Sequence, residues 1–517
     1  MVSIVVVASG CSTTGGDDAS PDARKYYDTY SEQQGDATSG SVSGQAAGPA
    51  TGQNGSGGTA LPQPAPPREP GLLDDNTFVD AGTQGFVDTR EDPLSTFAAD
   101  VDTGSYRVAR TLLAEGHLPP PESVRAEEWV NSFDSGFPLP ERQDLELRSD
   151  QSAAPSGIDG TRLVTIGLQA RDIGPEEWRP VALTMVVDTS GSMDIRERLG
   201  LVKASLALLV ESLRPSDTIA IVTYETDATP LLEPTPVRRA DEILAAIDRL
   251  QAGGSTNLEA GLLLGYDQAR SAHRANATNV VILASDGVAN VGVTDGGRLA
   301  SAIRDNGRRG VHLVTVGFGM GNYNDHLMEQ LADQGDGFYA YVDTFDEAER
   351  LFVDDLRATL TPVAKDTKIQ VEFDPRTVSA YRLIGYENRA LADEDFEDVA
   401  VDAGEVGSGH RVTALYEVRP TAQAEVGDGI GTVRVRWRSV EGDDQREDAL
   451  ALTLGAPEPP AGTLGVVAAV ADLAQLVKDG EERSPSSLQR RVDSLVEQEA
   501  PGASELAGLL ADVVAAR

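Results

Sequence analysis

Short apolar runs alternate with helical patterns across residues 180–360, and this alternation constrains the fold of the chain more than any other feature. Apolar strands are indicated at residues 181–187, 218–224, 279–284 and 311–316, and helical periodicity at residues 199–213, 240–250, 258–272, 299–307, 325–334 and 346–360. Near-continuous apolar strands separated by helices predict a mostly parallel sheet covered by helices on both faces. We therefore predict an α/β, doubly wound unit over residues 179–361.

The charge balance narrows the class of partner. The 517 residues include 83 acidic and 43 basic side chains, which gives a net charge of −40. A surface this acidic repels phosphate backbones, so nucleic acid is not expected as a partner. The one cysteine excludes a disulfide framework and any multi-thiolate metal site. No apolar run reaches the roughly 18 residues that a membrane-spanning helix requires, so no spanning helix is expected.

That cysteine is Cys11, and it follows a short apolar run that ends in Ala8, Ser9 and Gly10. This pattern resembles the end of a bacterial lipoprotein signal, in which the cysteine is lipidated and becomes the N-terminus. The resemblance implies a signal remnant at residues 1–11 and an extracytoplasmic protein anchored to the bacterial membrane by lipid alone. The alternative is an ordinary apolar N-terminus with a chance cysteine. Residues 12–70 are poor in large apolar side chains, which predicts a disordered tether.

Three loops of the α/β unit carry oxygen ligands. The first strand is followed by Asp188-Thr-Ser-Gly-Ser-Met193, a later loop is Gly253-Gly-Ser-Thr-Asn257, and the strand that ends at Ala284 is followed by Ser285-Asp-Gly287. In open α/β sheets, loops at the carboxyl ends of the strands converge on the ligand site. The five candidate ligands are Asp188, Ser190, Ser192, Thr256 and Asp286. All of them offer hard oxygen, which favours Mg²⁺, or Mn²⁺ or Ca²⁺, over zinc or copper.

These three motifs, in this order, resemble the von Willebrand factor type A domain. The resemblance maps that family's metal-ion-dependent adhesion site, residue by residue, onto Asp188, Ser190, Ser192, Thr256 and Asp286. In the family, such a metal grips an acidic side chain of a partner protein. The resemblance therefore implies an unidentified protein partner with an exposed Asp or Glu.

The flanks of the unit resemble a bacterial family of type A proteins of the YfbK type. The resemblance is carried on the N-terminal side by residues 92–106, 116–121 and 125–134, and on the C-terminal side by residues 382–389 and 402–417. It implies an N-terminal region at residues 71–178, helical and then β, and a β-rich region at 362–460. Both flanks contain alternating apolar and polar runs, at residues 145–148, 162–169, 367–373, 410–418 and 431–439. We predict that the two flanks form one β-sandwich into which the type A domain is inserted, followed by two or three helices at 461–517.

Two other functions stay open at this point. An enzyme would need a general base near its metal or nucleophile, but the five histidines are scattered, and Ser190 and Ser192 have no evident base. We therefore expect no catalytic residues and no organic cofactor. The other alternative is an envelope scaffold whose β-sandwich binds the partner while the metal only braces three loops. The acidic clusters at residues 100–102 and 393–398 lack the calcium-loop pattern and are expected to be solvated.

Overall fold

We analysed the chain in a computed structural model. It describes residues 23–30, 78, 80–99, 102–154, 160–174, 177–287, 296–319, 324–356, 360–399, 401, 403–440, 444–480 and 485–517. Cys11 and most of the predicted tether lie outside the described residues, so the prediction of a lipid anchor stays a prediction. Within the described part, no helix is both long and apolar enough to cross a membrane.

Sixteen strands are described. They are β1 (Val87–Asp88), β2 (Leu94–Ala98), β3 (Leu145–Ala153), β4 (Arg162–Ala170), β5 (Val181–Asp188), β6 (Thr218–Tyr224), β7 (Ala228–Pro236), β8 (Thr278–Ser285), β9 (Val311–Phe318), β10 (Tyr339–Val342), β11 (Pro362–Phe373), β12 (Val378–Ile384), β13 (Val406–Gly407), β14 (Arg411–Pro420), β15 (Gly429–Ser439) and β16 (Gln445–Thr453).

The twelve described α-helices comprise α1 and three groups: two lie between β2 and β3, six lie between or beside the strands of the α/β unit, and three end the chain. They are α1 (Ala23–Asp28), α2 (Gly104–Ala114), α3 (Ala126–Asn131), α4 (Leu201–Ser212), α5 (Ala240–Asp248), α6 (Leu258–Ala272), α7 (Gly296–Gly307), α8 (Asp325–Asp333), α9 (Phe345–Glu349), α10 (Gly462–Asp479), α11 (Pro485–Glu497) and α12 (Ala503–Ala516). Two π-helices, Arg196–Gly200 and Arg350–Asp355, precede α4 and follow α9. α1 is additional to these groups and lies within the predicted tether.

The α/β unit contains a six-stranded sheet in the order β10-β9-β8-β5-β6-β7. All neighbours are parallel except β6 and β7. The chain builds outward from β5 in both directions, so the switch point lies beside β5. The predicted fold class is confirmed, although β7 and β10 were not predicted.

Both faces of this sheet are buried, as the near-continuous apolar strands predict. Met185 and Val187 pack with α4 on one face, and Val186 packs with α6 and α2 on the other. α2 belongs to the N-terminal flank, so the flank covers part of the α/β unit. Gly104 begins α2 at a point where a Cβ would lie 2.2 Å from Cε1 of Tyr339, so only glycine fits there.

The two flanks combine into a β-sandwich, as predicted. One sheet has the order β1-β12-β14-β4-β3, and the other has β13-β11-β15-β16 with β2 paired to β11. Each sheet contains strands from before and from after the α/β unit, and the inner faces of the two sheets share one apolar core. The α/β unit leaves the sandwich after β4 and returns at β11. The three C-terminal helices pack together on α2 and α3.

One part of the predicted tether differs from expectation. Residues 23–30 contain helix α1, whose Ala23 is buried in the apolar core of the α/β unit. Three tyrosines, Tyr26, Tyr27 and Tyr30, pack against the same core. The composition average over residues 12–70 concealed this short aromatic segment.

Candidate metal centre

The carboxyl edge of the six-stranded sheet brings the predicted ligand loops together. Asp188 is the last residue of β5, and Asp286 follows directly after the last residue of β8. β5 and β8 are paired in parallel, with Val187 opposite Ala284. Both aspartates are fully buried. The two carboxylates therefore lie at the switch point, where the loops of this sheet diverge to leave a crevice.

The first ligand loop is folded by its own hydrogen bonds. Asp188 Oδ1 accepts the backbone N–H of Ser190 at 2.8 Å, and the Oγ atoms of Ser190 and Ser192 are 3.1 Å apart. A 3₁₀ turn, Gly191–Met193, follows and continues toward the π-helix. The loop thereby presents one carboxylate and two adjacent hydroxyls.

The second loop is attached to the first through backbone hydrogen bonds. Gly253 N donates to Thr189 O at 2.7 Å, and Gly191 N donates to Gly254 O at 3.3 Å. Gly254 has φ +73, and a Cβ there would lie 2.0 Å from Glu225 Oε2, so the loop requires glycine at this position. Thr256 is buried, and Asn257 then caps α6 by accepting from Ala260 N at 3.2 Å.

The electrostatics of the edge centre on Asp188. Its Oδ2 accepts hydrogen bonds from the Ser285 hydroxyl at 2.9 Å and the Tyr224 hydroxyl at 3.2 Å. Burial, and next the charge of Asp286, raise the pKa of Asp188 to about 7. An added positive charge at this edge would favour the ionised form of Asp188.

Sequence reasoning missed three residues that shape the edge. Tyr224 ends β6 opposite Asp188, a position that follows from the parallel register once the strand order is known. Ser285 could have been found as the residue before Asp286. Arg198 is the third, and nothing in the motif pattern identifies it: its Nη1 donates to Asp286 Oδ2 at 3.0 Å and to Ser192 O at 2.7 Å.

The donor set fits a hard divalent cation. Two buried carboxylates supply negative charge. The hydroxyls of Ser190, Ser192 and Thr256 belong to the first and second ligand loops, which are hydrogen-bonded to each other. Oxygen donors of this kind suit Mg²⁺, Mn²⁺ or Ca²⁺. No group of three or more His, Cys, Asp or Glu side chains arranged to hold a metal occurs in the described part of the chain. That finding argues against a zinc-type site among those residues and leaves a hydroxyl-rich site untouched.

The rim of the edge is acidic and partly apolar. Asp194, Glu225 and Asp227 are exposed there, and Ile195 is an exposed large apolar side chain. These exposed carboxylates repel an anionic group unless a positive charge lies close to it. Ile195 offers an apolar contact beside it.

Comparison with known proteins identifies the family. A model described as von Willebrand factor type A domain matches residues 182–354, and one described as Uncharacterized protein YfbK, C-terminal, matches residues 358–505. A third, described as von Willebrand factor, matches residues 73–164. The chain is 38% identical over 427 residues to Uncharacterized protein YfbK of Escherichia coli (strain K12), covering 77% of this chain and 74% of that protein. The chain belongs to the YfbK family.

Similarity extends beyond the YfbK family at lower identity. Inter-alpha-trypsin inhibitor heavy chain H3 of Pongo abelii is 25% identical over 258 residues, which cover 46% of this chain and 29% of that protein. The solved structure described as von Willebrand factor type A from Catenulispora acidiphila superimposes with a TM-score of 0.43 at 18% identity, covering 73% of this chain and 91% of that one.

The other residues singled out in the sequence lie away from this edge or outside the described part. Asp100 is outside the described residues, but Asp102 is buried and bonded to Arg389 at 2.5 Å, so the expectation that it is solvated is wrong. The 393–398 segment is partly packed, with Phe396 buried. His312 and His410 line a cavity at the amino ends of the strands, opposite the metal centre.

Proposed function

We propose that this YfbK-family chain is a metal-dependent protein-binding module of the bacterial cell envelope, lipid-anchored at Cys11. The type A domain itself indicates protein–protein interaction or an adhesive scaffold. The observation that supports the finer proposal is the burial of Asp188 and Asp286 side by side at the switch point, with hydroxyl donors around them.

The chain's own residues give this edge its selectivity. Asp188 is oriented by one backbone N–H and two hydroxyls, so it presents its remaining lone pairs in a fixed direction. Ser190, Ser192 and Thr256 donate oxygen without adding charge, so only Asp188 and Asp286 can neutralise a bound dication, and if one of them binds through water the ion keeps net positive character. When bound, Mg²⁺ would supply that charge and an open position for a partner's carboxylate. Ile195, which is exposed beside this edge, then favours a partner with an apolar side chain next to its acidic one.

We propose a non-enzymatic role for the same edge. The Ser190 hydroxyl neighbours that of Ser192, and the buried acid–base groups here are carboxylates already committed to hydrogen bonds. His312 and His410, which could serve as bases, line the opposite edge. A screen for phosphatase and esterase turnover with added Mg²⁺ would reveal a reaction if one occurs.

The proposal is tested by two measurements on the Asp188→Ala variant. We expect Mg²⁺ to raise the melting temperature of the wild type but not of this variant. We also expect affinity capture from envelope extracts to recover a partner with wild type in Mg²⁺, and to lose it with EDTA or with Asp188→Ala. Asp227→Ala is the matched control, because Asp227 is an exposed acid on the adjacent β6–β7 turn.

The scaffold alternative predicts a different pattern. If the β-sandwich binds the partner and the metal only braces the loops, capture persists in EDTA and in Asp188→Ala while the Mg²⁺-dependent melting shift is still present in wild type. Mg²⁺-independent melting of the wild type would contradict both forms of the proposal.

A further inference from the structure

Residues 23–30 form a packed segment in a region whose composition predicts no packing. Ala23 is 4% exposed within the core of the type A domain, and Tyr26, Tyr27 and Tyr30 cover the same apolar surface. The surface belongs to α4, the π-helix Arg196–Gly200 and the beginning of α9. The segment is therefore held to a specific site on the domain.

Polar contacts fix the orientation of this segment. Arg24 Nη2 is 2.9 Å from Asp346 Oδ1, and the Arg24 guanidinium lies over the Phe345 ring at 4.3 Å. At the other end, the Tyr30 hydroxyl donates to Asp194 Oδ1 at 3.0 Å. Asp194 directly follows the first ligand loop, so the segment ends at the rim of the metal centre.

The segment also contacts the π-helix that carries Arg198. The Arg196 guanidinium lies over the Tyr27 ring at 4.9 Å, and Gly200 is so close to Tyr30 that a Cβ there would lie 3.0 Å from Tyr30 Cγ. Arg198, on the same π-helix, donates to Asp286 Oδ2 and to Ser192 O. The π-helix thus contacts both the docked tyrosines and two ligand loops, the one that contains Ser192 and the one that contains Asp286.

The Arg198 guanidinium would compete with a divalent cation for the carboxylate of Asp286. It is 8% exposed and contacts Asp286, so with Arg198 in place a dication bound beside Asp188 would meet a fixed positive charge at close range. Movement of the π-helix away from Asp286 would remove that repulsion. Contacts that hold the π-helix in place therefore oppose metal binding, and by thermodynamic reciprocity metal binding opposes those contacts.

We propose that residues 23–30 are an intramolecular ligand of the type A domain that lowers its affinity for divalent cations by holding Arg198 against Asp286. The inference rests on the proposed metal site. It makes a segment of the predicted tether a regulator of that site, because release of the segment and occupation of the site are coupled.

The coupling is tested on the full chain with Mg²⁺ as the probe, by titration calorimetry. We expect the Tyr27→Ala/Tyr30→Ala double variant to lower the dissociation constant for Mg²⁺ by at least about fivefold, the lower end of typical coupling factors. Arg198→Gln is expected to lower it at least as much. Adding the tyrosine substitutions to Arg198→Gln should have no further effect, because the segment acts through Arg198. Lys25→Ala is the matched control, because Lys25 is exposed on α1.

Hydrogen exchange gives an independent readout of docking. The Thr29 amide, which donates to Lys25 O at 3.0 Å, and its neighbours in residues 23–30 should exchange faster in saturating Mg²⁺ than in EDTA. The coupling would be overturned, with the metal site left intact, if the tyrosine double variant had an unchanged dissociation constant for Mg²⁺. It would also be overturned if the tyrosine substitutions increased Mg²⁺ affinity equally in wild type and in Arg198→Gln. Failure of wild type and Arg198→Gln alike to bind Mg²⁺ would overturn the proposed function itself.

Discussion

Two groups of buried acids in this molecule have different counter-charges. At the joint between α8 and the flanks, Asp102, Glu128 and Glu329 each contact a guanidinium: Arg389 is 2.5 Å from Asp102, and Arg125 is 2.7 Å from Glu329 and 3.4 Å from Glu128. We call these five residues the joint cluster. At the metal centre, Arg198 contacts Asp286, whereas Asp188 is held by neutral donors.

The difference separates acids that contact guanidinium groups of the chain from an acid, Asp188, that is held by neutral donors. In the joint cluster, further neutral donors complete the set: Ser105 N donates to Glu128 at 2.7 Å and Asn388 Nδ2 to Glu329 at 2.8 Å. The chain itself thus supplies counter-charges to all three acids and neutral donors to two of them. At the candidate metal centre, burial and next the charge of Asp286 raise the pKa of Asp188. Acid content alone would not distinguish the two clusters.

The largest effect is expected from breaking the joint cluster. Arg125→Met leaves Glu128 and Glu329 buried with less compensation, which should lower the free energy of unfolding by about 3–5 kcal/mol. Arg376→Ala is the control, since Arg376 pairs with Asp374 while 88% exposed and its loss should change the free energy of unfolding little. Urea denaturation measures both. A loss below about 1 kcal/mol in Arg125→Met would erase the distinction from an ordinary surface pair.

The next largest effect is a pH dependence of the free energy of unfolding that arises from Asp188. The pKa of Asp188 is raised from 3.8 to about 7, so in EDTA the folded chain binds more protons than the unfolded chain between about pH 4 and about pH 7. The contribution of Asp188 to the free energy of unfolding is therefore present at the acidic end and is lost as the pH rises through this window. Its upper bound is about 4 kcal/mol, at about 1.4 kcal/mol per pKa unit.

Asp188→Asn isolates this term, because asparagine has no proton to lose. The variant's stability in EDTA should vary less with pH over the same window than that of wild type. If denaturation curves of the two proteins keep the same pH slope, the acid responsible lies elsewhere.

A smaller effect is expected from the cation itself. At a free Mg²⁺ concentration one hundred times the dissociation constant, the free energy of unfolding of the wild type should rise by about 2.7 kcal/mol. Thr256→Val replaces one hydroxyl ligand by a methyl group and should remove much of this gain. Arg125→Met should retain it in full despite its lower stability. Melting curves with Mg²⁺ and with EDTA test this, and an equal Mg²⁺ gain in Thr256→Val would remove Thr256 from the ligand set.

The smallest effect is expected from a variant that removes the cap of α6 without removing a candidate metal ligand. Asn257→Ala removes the cap of α6, in which Asn257 Oδ1 accepts from Ala260 N, and should cost about 1 kcal/mol. The Mg²⁺-dependent gain should stay close to that of wild type, because Asn257 contributes no ligand. A variant that loses both stability and the Mg²⁺ response would show that the loop is held at its ligand position by this cap.

The sequence predicted the parts of the fold that local patterns encode. Helix α6 and strand β6 occur at the predicted residues, because continuous apolar strands and periodic helices leave local signatures. The edge strand β7 was missed because it contains Pro230, Pro234 and Pro236, which an edge position tolerates and a strand pattern does not predict. β10 has four residues, too few to show a period.

Long-range relations explain the remaining differences. Alternation predicted strands near β4 and β14, but their direct pairing joins residues on opposite sides of the inserted domain. The order of the motifs predicted the ligand loops, whereas the contact of Arg198 with Asp286 joins residues that are 88 positions apart in the sequence. Asp102 was placed in a solvated loop because Arg389, its partner, lies far away in the sequence. No local pattern carries these three contacts.

The insertion of the type A domain has a mechanical consequence. β5 begins shortly after β4, which lies inside a sandwich sheet between β14 and β3, and it ends at Asp188 about 26 Å further on, at roughly 3.3 Å per residue. A pull applied at Asp188 therefore runs lengthwise along β5 toward its root in the sandwich. The covalent backbone of β5 itself carries such a load between these two points, so the hydrogen bonds to β6 and β8 need not break under it.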